Sequence, residues 1–272
     1  MDILFFCPLW GSEQIPFDAF CTRVRDAGYH GVEFALPLDD ETTSRVLLET
    51  IESHGLKFIG QHWETVVPDI EEHIAIYRKR LEWQAKANPL FINSQSGRDW
   101  FDFEKNQRII DAAREVSDKT GVKIVHETHR GKFSFCATQT ARFLEANPEL
   151  RLAADFSHWC TVSESLLEDQ DESLRAAIAR ADHIHARIGH PEGPQVTDPR
   201  APEWQDSLNA HLAWWDAIVE ARKSEGADRL TITPEFGPVP YMPTLPFTNQ
   251  PVANQWEINV HMMNLLKSRY GH

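Results

Sequence analysis

The sequence predicts an α/β protein, a single-domain (β/α)8 TIM barrel over residues 1–272. Three observations predict it. Short apolar runs rich in β-formers recur eight times, and the stretches between them mostly carry helical periodicity. Strand-helix alternation implies parallel strands, because each crossover returns the chain to the same end of the sheet. Eight such units in about 250 residues match the size of a closed barrel. The competing open, doubly wound sheet usually announces itself by a phosphate loop after an early strand, and neither GxGxxG nor GxxxxGK(S/T) occurs here.

Taken in order, the first strand is expected at 3–8 (ILFFCP). Phe17, Phe20, Val24 and Ala27 mark one face of the helix after it, and Gly28 is a plausible C-cap. The second strand is 31–36 (GVEFAL), followed by a helix on Val46, Leu47 and Ile51 that ends at Gly55. The third, 56–63 (LKFIGQHW), precedes the stripe Ile70, Ile74, Tyr77 and Leu81. The fourth, 89–96 (PLFINSQS), precedes Phe103, Ile109, Ile110, Ala113 and Val116, with a stop near Gly121. The remaining strands are read at 122–127 (VKIVHE), 151–156 (RLAADF), 183–188 (HIHARI) and 230–236 (LTITPEF). Prolines and glycines forbid a helix across 189–205, and a long loop at that end of a barrel strand is usually functional. A second irregular piece covers 236–254, and Trp256, Val260 and Met263 form the final apolar stripe.

Composition narrows the function classes. A formal net charge of -14 argues against a phosphodiester partner, which nucleic-acid binders attract with basic patches. No run is apolar for long enough to cross a membrane, and the N-terminus MDILFFCPLWG lacks the basic region and cleavage site of a signal peptide. Cys7, Cys21, Cys136 and Cys160 are dispersed, which fits a reducing cytoplasm rather than a disulfide framework. The charge balance fits a small, neutral or cation-assisted ligand, with homo-oligomerisation open.

Barrel active sites form at the C-terminal ends of strands. Here the last four strands end in polar groups: Glu127 in VHETH, Asp155 and His158 in ADFSHW, His183, His185 and Arg187 in HIHARIGH, and Glu235 in TPEF. Isolated acids at strand ends often cap helices or pair with arginines. Four consecutive strands doing so point elsewhere, because three carboxylates brought together resist ionisation unless a cation sits among them. The set Glu127, Asp155, His185 and Glu235 offers oxygen and nitrogen ligands without a thiolate, suited to one divalent ion: Mn, Mg, Co or Zn. His183 and His185 share a face, and His185, nearer the strand end, is the better ligand.

These four motifs, in order, resemble the xylose isomerase-like TIM-barrel superfamily over the whole chain, and most closely its sugar isomerase/epimerase branch. The resemblance implies that Glu127, Asp155, His185 and Glu235 hold the metal. It implies that Glu127 and Glu235 are also the catalytic acid/base pair acting through an enediolate, and that His158 touches an oxygen of a small carbohydrate substrate. The epimerases carry an arginine six residues after the metal histidine, where this chain has Pro191; Arg187 and Arg200 remain to take that role. Further substrate-binding candidates are Trp10, which is placed to floor a pocket, His190 and Gln195 in the 189–205 loop, and His62 after the third strand, with Gln61, Glu64 and Asn93 within reach. Trp63 and Trp159 are candidates to line the apolar side of a sugar, against the plainer alternative of packing. The alternatives are a hydro-lyase of the inosose dehydratase type, an endonuclease IV-like DNA-repair hydrolase needing three metal ions, and a non-catalytic carbohydrate-binding barrel.

Overall fold

A computed structural model describes residues 1–271. Parallel strands β1 (Asp2–Pro8), β2 (Gly31–Phe34), β3 (Lys57–His62), β4 (Ile92–Ser94), β5 (Ile124–Glu127), β6 (Leu152–Ala154), β7 (Ala181–His185) and β8 (Arg229–Thr233) close into one barrel in chain order, β1 pairing with both β2 and β8. Around it lie α1 (Phe17–Ala27), α2 (Glu41–Ser53), α3 (Ile70–Ala85), α4 (Phe103–Thr120), α5 (Ala137–Ala146), α6 (Ser157–Ser163), α7 (Asp171–Ile178), α8 (Gln205–Ser224) and α9 (Gln255–Tyr270). Among the described residues no helix is long and apolar enough to cross a membrane, and all four cysteines are free.

Most of the stripes read from the sequence are the faces that pack; on α2 Ile51 is buried but Val46 faces solvent, 51% exposed. Phe20 and Val24 of α1, and Ile109, Ile110, Ala113 and Val116 of α4, are buried against the sheet. Helix α1 ends at Gly28, whose φ of 91° lies in the left-handed region, and its N–H caps the Arg25 carbonyl. Asp40, Asp69 and Asp102 cap α2, α3 and α4 by accepting backbone N–H groups two to three residues into each helix.

Two expectations need correction. The β6–β7 connection holds two helices, α6 and α7, where one was expected. Also, the apolar runs at 89–96 and 151–156 pair only over Ile92–Ser94 and Leu152–Ala154. Beyond Ala154 the chain leaves the ladder: the Asp155 N–H donates to Thr128 Oγ1 rather than to a neighbouring strand, and α6 begins two residues later. Leaving the ladder early is what sets Asp155 over the barrel mouth. Lower in the barrel, Phe6, Ile59, Phe91, Val125 and Ala153 pack together as an apolar floor, flanked by Leu4 and Leu90.

Candidate metal centre and cavity

Strand alternation sends every second side chain inward. On β5 Val125 joins the floor and Glu127 stands above it; on β7 the inward series is His183, His185 and then Arg187; β8 contributes Thr231, Thr233 and then Glu235. One ligand-capable atom from each of Glu127, Asp155, His185 and Glu235 lies within 4.8 Å of the others, and all four residues are buried. His185 Nδ1 is 2.9 Å from Glu235 Oε2 and 3.7 Å from Glu127 Oε2, yet has no hydrogen-bond partner of proper geometry. A buried imidazole nitrogen without a hydrogen bond, ringed by three carboxylates, is a donor set that fits a divalent cation.

Beneath this ring sits a fourth acid, Glu33 of β2, only 1% exposed. Its Oε1 accepts from His185 Nε2 at 3.0 Å and from Asn93 Nδ2 at 2.9 Å, and its Oε2 accepts from Thr233 Oγ1 at 2.6 Å. Burial works against ionisation of Glu33, but His185 and His183 outweigh it and hold the carboxyl well below its usual range. Asn93 Nδ2 also donates to Glu127 Oε2 at 2.9 Å, and Gln95 Nε2 donates to Glu127 Oε1 at 3.0 Å, so both oxygens of Glu127 are fixed.

The fold supplies a positive charge of its own beside the ring. Arg187 is 1% exposed, donates to Asp155 Oδ2 and lies 3.7 Å from Glu235 Oε2. The crowding of three acids is therefore relieved partly by a fixed guanidinium, which revises the expectation that a metal ion alone does so. Burial still raises the Asp155 carboxyl, with Arg187 pulling the other way and Glu235 adding to the rise. Burial lifts Glu127 to about 8; His185 opposes this, while Glu235 and Asp155 add to it. Burial disfavours a charged His185, yet Glu235, Glu33 and Glu127 together hold it well above its ordinary value. With His185 neutral as a ligand, the carboxylates of Glu33, Glu127, Asp155 and Glu235 face the single guanidinium of Arg187, an excess of negative charge that a divalent ion would reduce.

Above the ring opens a cavity of about 520 Å³. Its lining mixes the apolar Leu9, Trp10, Phe34, Leu36 and Trp63 with the polar Gln61, Glu64, Gln95, His129, Arg187, Glu235 and Tyr241. Trp10 lies flat against Gly237, where an added Cβ would come within 2.2 Å of the indole. Tyr241 packs edge-on to Trp10 and lies under the Arg187 guanidinium, 4.8 Å from the ring centroid.

A family profile described as xylose isomerase-like TIM barrel matches residues 21–233. The chain belongs to that family. No curated protein matches the chain. Among solved structures, the probable 3-DHS dehydratase AsbF of petrobactin synthesis from Bacillus anthracis aligns with a TM-score of 0.61 at 16% identity, covering 97% of this chain and 98% of that one. Endonuclease IV from Thermus thermophilus aligns with a TM-score of 0.60 at 14% identity, covering 98% of each chain. D-allulose 3-epimerase from Methylomonas sp. aligns with a TM-score of 0.60 at 14% identity, covering 99% of this chain and 98% of that one. At such identities the likeness establishes the xylose isomerase-like fold and leaves the reaction open.

Within this xylose isomerase-like barrel the expected residues separate into two groups. Glu127, Asp155, His185 and Glu235 converge, and Trp10 and Arg187 line the cavity above them. Trp63, 54% exposed, lines the same cavity, whereas Trp159 is packing: it is fully buried and its indole N–H donates to Ser134 O. His158 touches the centre from behind Arg187: its Nε2 accepts from Arg187 Nη2 at 2.6 Å, and it is fully buried. Because arginine only donates, the His158 proton sits on Nδ1, a buried donor with no partner.

Four expected contacts stand elsewhere, one of them Gln195, which is buried and exchanges two hydrogen bonds with the Gly237 backbone. His62 follows inward-facing Gln61, so alternation turns it outward, where Ser94, Thr65 and the ring of Tyr77 enclose it. His190 packs on Trp204, with its backbone bridged to Gly193. Arg200 is held on the surface by Asp198 through two hydrogen bonds. Asn93 and Gln61 do reach the centre. Glu33, Gln95, His129 and Tyr241 were not singled out as site residues. For Glu33 a signal existed: an acid at the middle of the apolar run GVEFAL must point somewhere buried. Tyr241 comes from an irregular segment without periodicity to read.

Proposed function

We propose that this chain is a divalent-metal-dependent isomerase or epimerase of a small α-hydroxy carbonyl compound, a sugar or sugar derivative. The observation that carries the reading is the pair Glu127 and Glu235, both drawn to His185 Nδ1, at 3.7 and 2.9 Å, with Glu235 bordering the cavity. A divalent ion held by Glu127, Asp155, His185 and Glu235 would supply Lewis-acid polarisation of the substrate carbonyl. The residues do the proton work. One glutamate removes the proton alpha to the carbonyl, giving an enediolate, and the other returns a proton at the neighbouring carbon or on the opposite face. Glu127, with both oxygens fixed by Asn93 Nδ2 and Gln95 Nε2, is the member assigned to return the proton. Glu235 borders the cavity and accepts a single long bond from Gln61 Nε2, 3.4 Å, which leaves its carboxylate available as the base. Arg187 anchors Asp155, while Trp10, Phe34 and Trp63 offer the carbon skeleton apolar surface.

Proton transfer by the same pair also suits a second reaction, departure of a β-hydroxyl as water, and the aromatic side chains of the cavity, Trp10, Phe34 and Trp63, suit a ring-shaped substrate for it. Cleavage of abasic DNA is supported least: His62 faces away, Arg187 occupies His158 Nε2, and the chain is strongly acidic. The test is deuterium uptake from D2O by a panel of ketoses, aldoses and inososes, followed by proton NMR with manganese present. The wild type is expected to label one substrate, and Glu127→Gln or Glu235→Gln to slow labelling by about 10²- to 10⁴-fold with unchanged circular dichroism. Full labelling by both variants would overturn the acid/base assignment, and a product one water lighter would identify the hydro-lyase.

A further inference from the structure

The ring of ligands is supported by a residue outside it. The geometry points to Glu33 as a positioning residue that fixes His185 with its proton on Nε2 and its Nδ1 lone pair aimed at the metal ion. This inference rests on the metal-dependent reading above and deepens it. A carboxylate oxygen 3.0 Å from an imidazole nitrogen requires a proton between them, so His185 Nε2 is the donor. Asn93 Nδ2 lies 3.1 Å from the same nitrogen, but it too donates to Glu33 Oε1; two donors converge on one oxygen. The second oxygen is pinned by Thr233 Oγ1, so Glu33 cannot rotate away without losing three bonds. With Nε2 committed below, Nδ1 faces Glu127 and Glu235 above.

The link runs further. Asn93 joins Glu33 to Glu127 through its two amide hydrogens, so one strand-to-strand chain from β2 through β4 to β5 and β7 sets the relative positions of an acid/base residue and a ligand. Hydrogen bonds to the far nitrogen of a ligating histidine fix its tautomer and raise its basicity.

The experiment measures Mn²⁺ affinity by calorimetry and by EPR of the free ion, for wild type, Glu33→Gln and Glu33→Asp. Glutamine keeps the shape and loses the charge; aspartate keeps the charge and is too short to reach both His185 and Asn93. Both are expected to bind Mn²⁺ about 10- to 100-fold more weakly than wild type. In ¹⁵N-histidine NMR of the Zn²⁺-loaded wild type, His185 is expected to be protonated at Nε2 and coordinated through Nδ1. Either variant binding Mn²⁺ within twofold of wild type, or coordination through Nε2, would overturn the proposal while leaving the metal centre standing. A wild type that binds no Mn²⁺ would remove both. Should Glu33→Gln fail to fold, Glu33→Asp and the wild-type tautomer still decide the matter.

Discussion

In the proposed metal centre, protons and a metal ion would compete for the same atoms. His185 is held charged by Glu235, Glu33 and Glu127 against the effect of burial, and burial lifts Glu127 to about 8. A cation that ligates His185 Nδ1 and Glu127 must displace the protons they carry, so its affinity depends on pH. The sign follows directly. Below about 8 Glu127 is protonated, each further unit of acidity costs up to about tenfold per displaced proton, and binding therefore strengthens as pH rises. Between about pH 6 and 8, Mn²⁺ affinity should increase by roughly 10²- to 10⁴-fold, measured by EPR at fixed ionic strength. A flat profile would mean that the ion sits elsewhere. Of the residues here, the four candidate ligands were legible because each ends an apolar run with a polar group. Glu33 was obscured because it sits inside such a run, and its role depends on partners from β4, β7 and β8 that are far away in sequence.

At the scale of elements, hydrophobic period alone placed all eight strands and most helices, since burial on the barrel wall imposes it. It failed where the chain is shaped by polar contacts, at Asp155, whose N–H leaves the ladder for Thr128; it marked 236–254 correctly as irregular but gave no view of its contacts, where Gln195 and Gly237 exchange two hydrogen bonds. The opposite end of the barrel is tied by another such contact. Asp182 of β7 receives Lys123, Arg151 of the β6 approach and Arg222 of α8 around a side chain only 7% exposed. Burial would raise its carboxyl, but Lys123 and Arg151 outweigh that and hold it below the usual range. A depressed folded-state value means stability that is present above about pH 3.9 and lost as pH falls through the folded value. Asp182→Asn should therefore cost about 2 kcal/mol in urea unfolding at pH 7. It should cost progressively less on acidification, while Mn²⁺ binding at the far end of the barrel stays unchanged. Equal losses at pH 7 and pH 3 would show that packing, not charge, holds this junction.

The whole molecule stores many neutral imidazoles. Burial pushes His126 and His211 down to about 4 and also lowers His62, His73, His129, His158 and His183. His211 shows why they stay neutral: Nδ1 donates to Ser207 O at 2.8 Å while Nε2 accepts the Gly189 N–H at 3.2 Å, so an added proton would break the second bond and charge a fully buried ring. In the unfolded chain each of these rings takes up a proton near 6.5; below that, the unfolded state binds more protons and folding stability falls with pH. For His126 and His211 the loss amounts to roughly 2 kcal/mol each between pH 7 and 5. Relief of repulsion among the net charge of -14 opposes this, but surface charges are screened and weigh less. The protein should therefore lose several kcal/mol of unfolding free energy between pH 7 and 5, above the range in which ordinary carboxylates protonate. Urea titrations of wild type and His211→Gln test the cause. The variant starts less stable at pH 7, and because it lacks one titrating ring, the gap between the two proteins should narrow by about 2 kcal/mol at pH 5. A gap that stays constant would assign the acid sensitivity to groups other than His211.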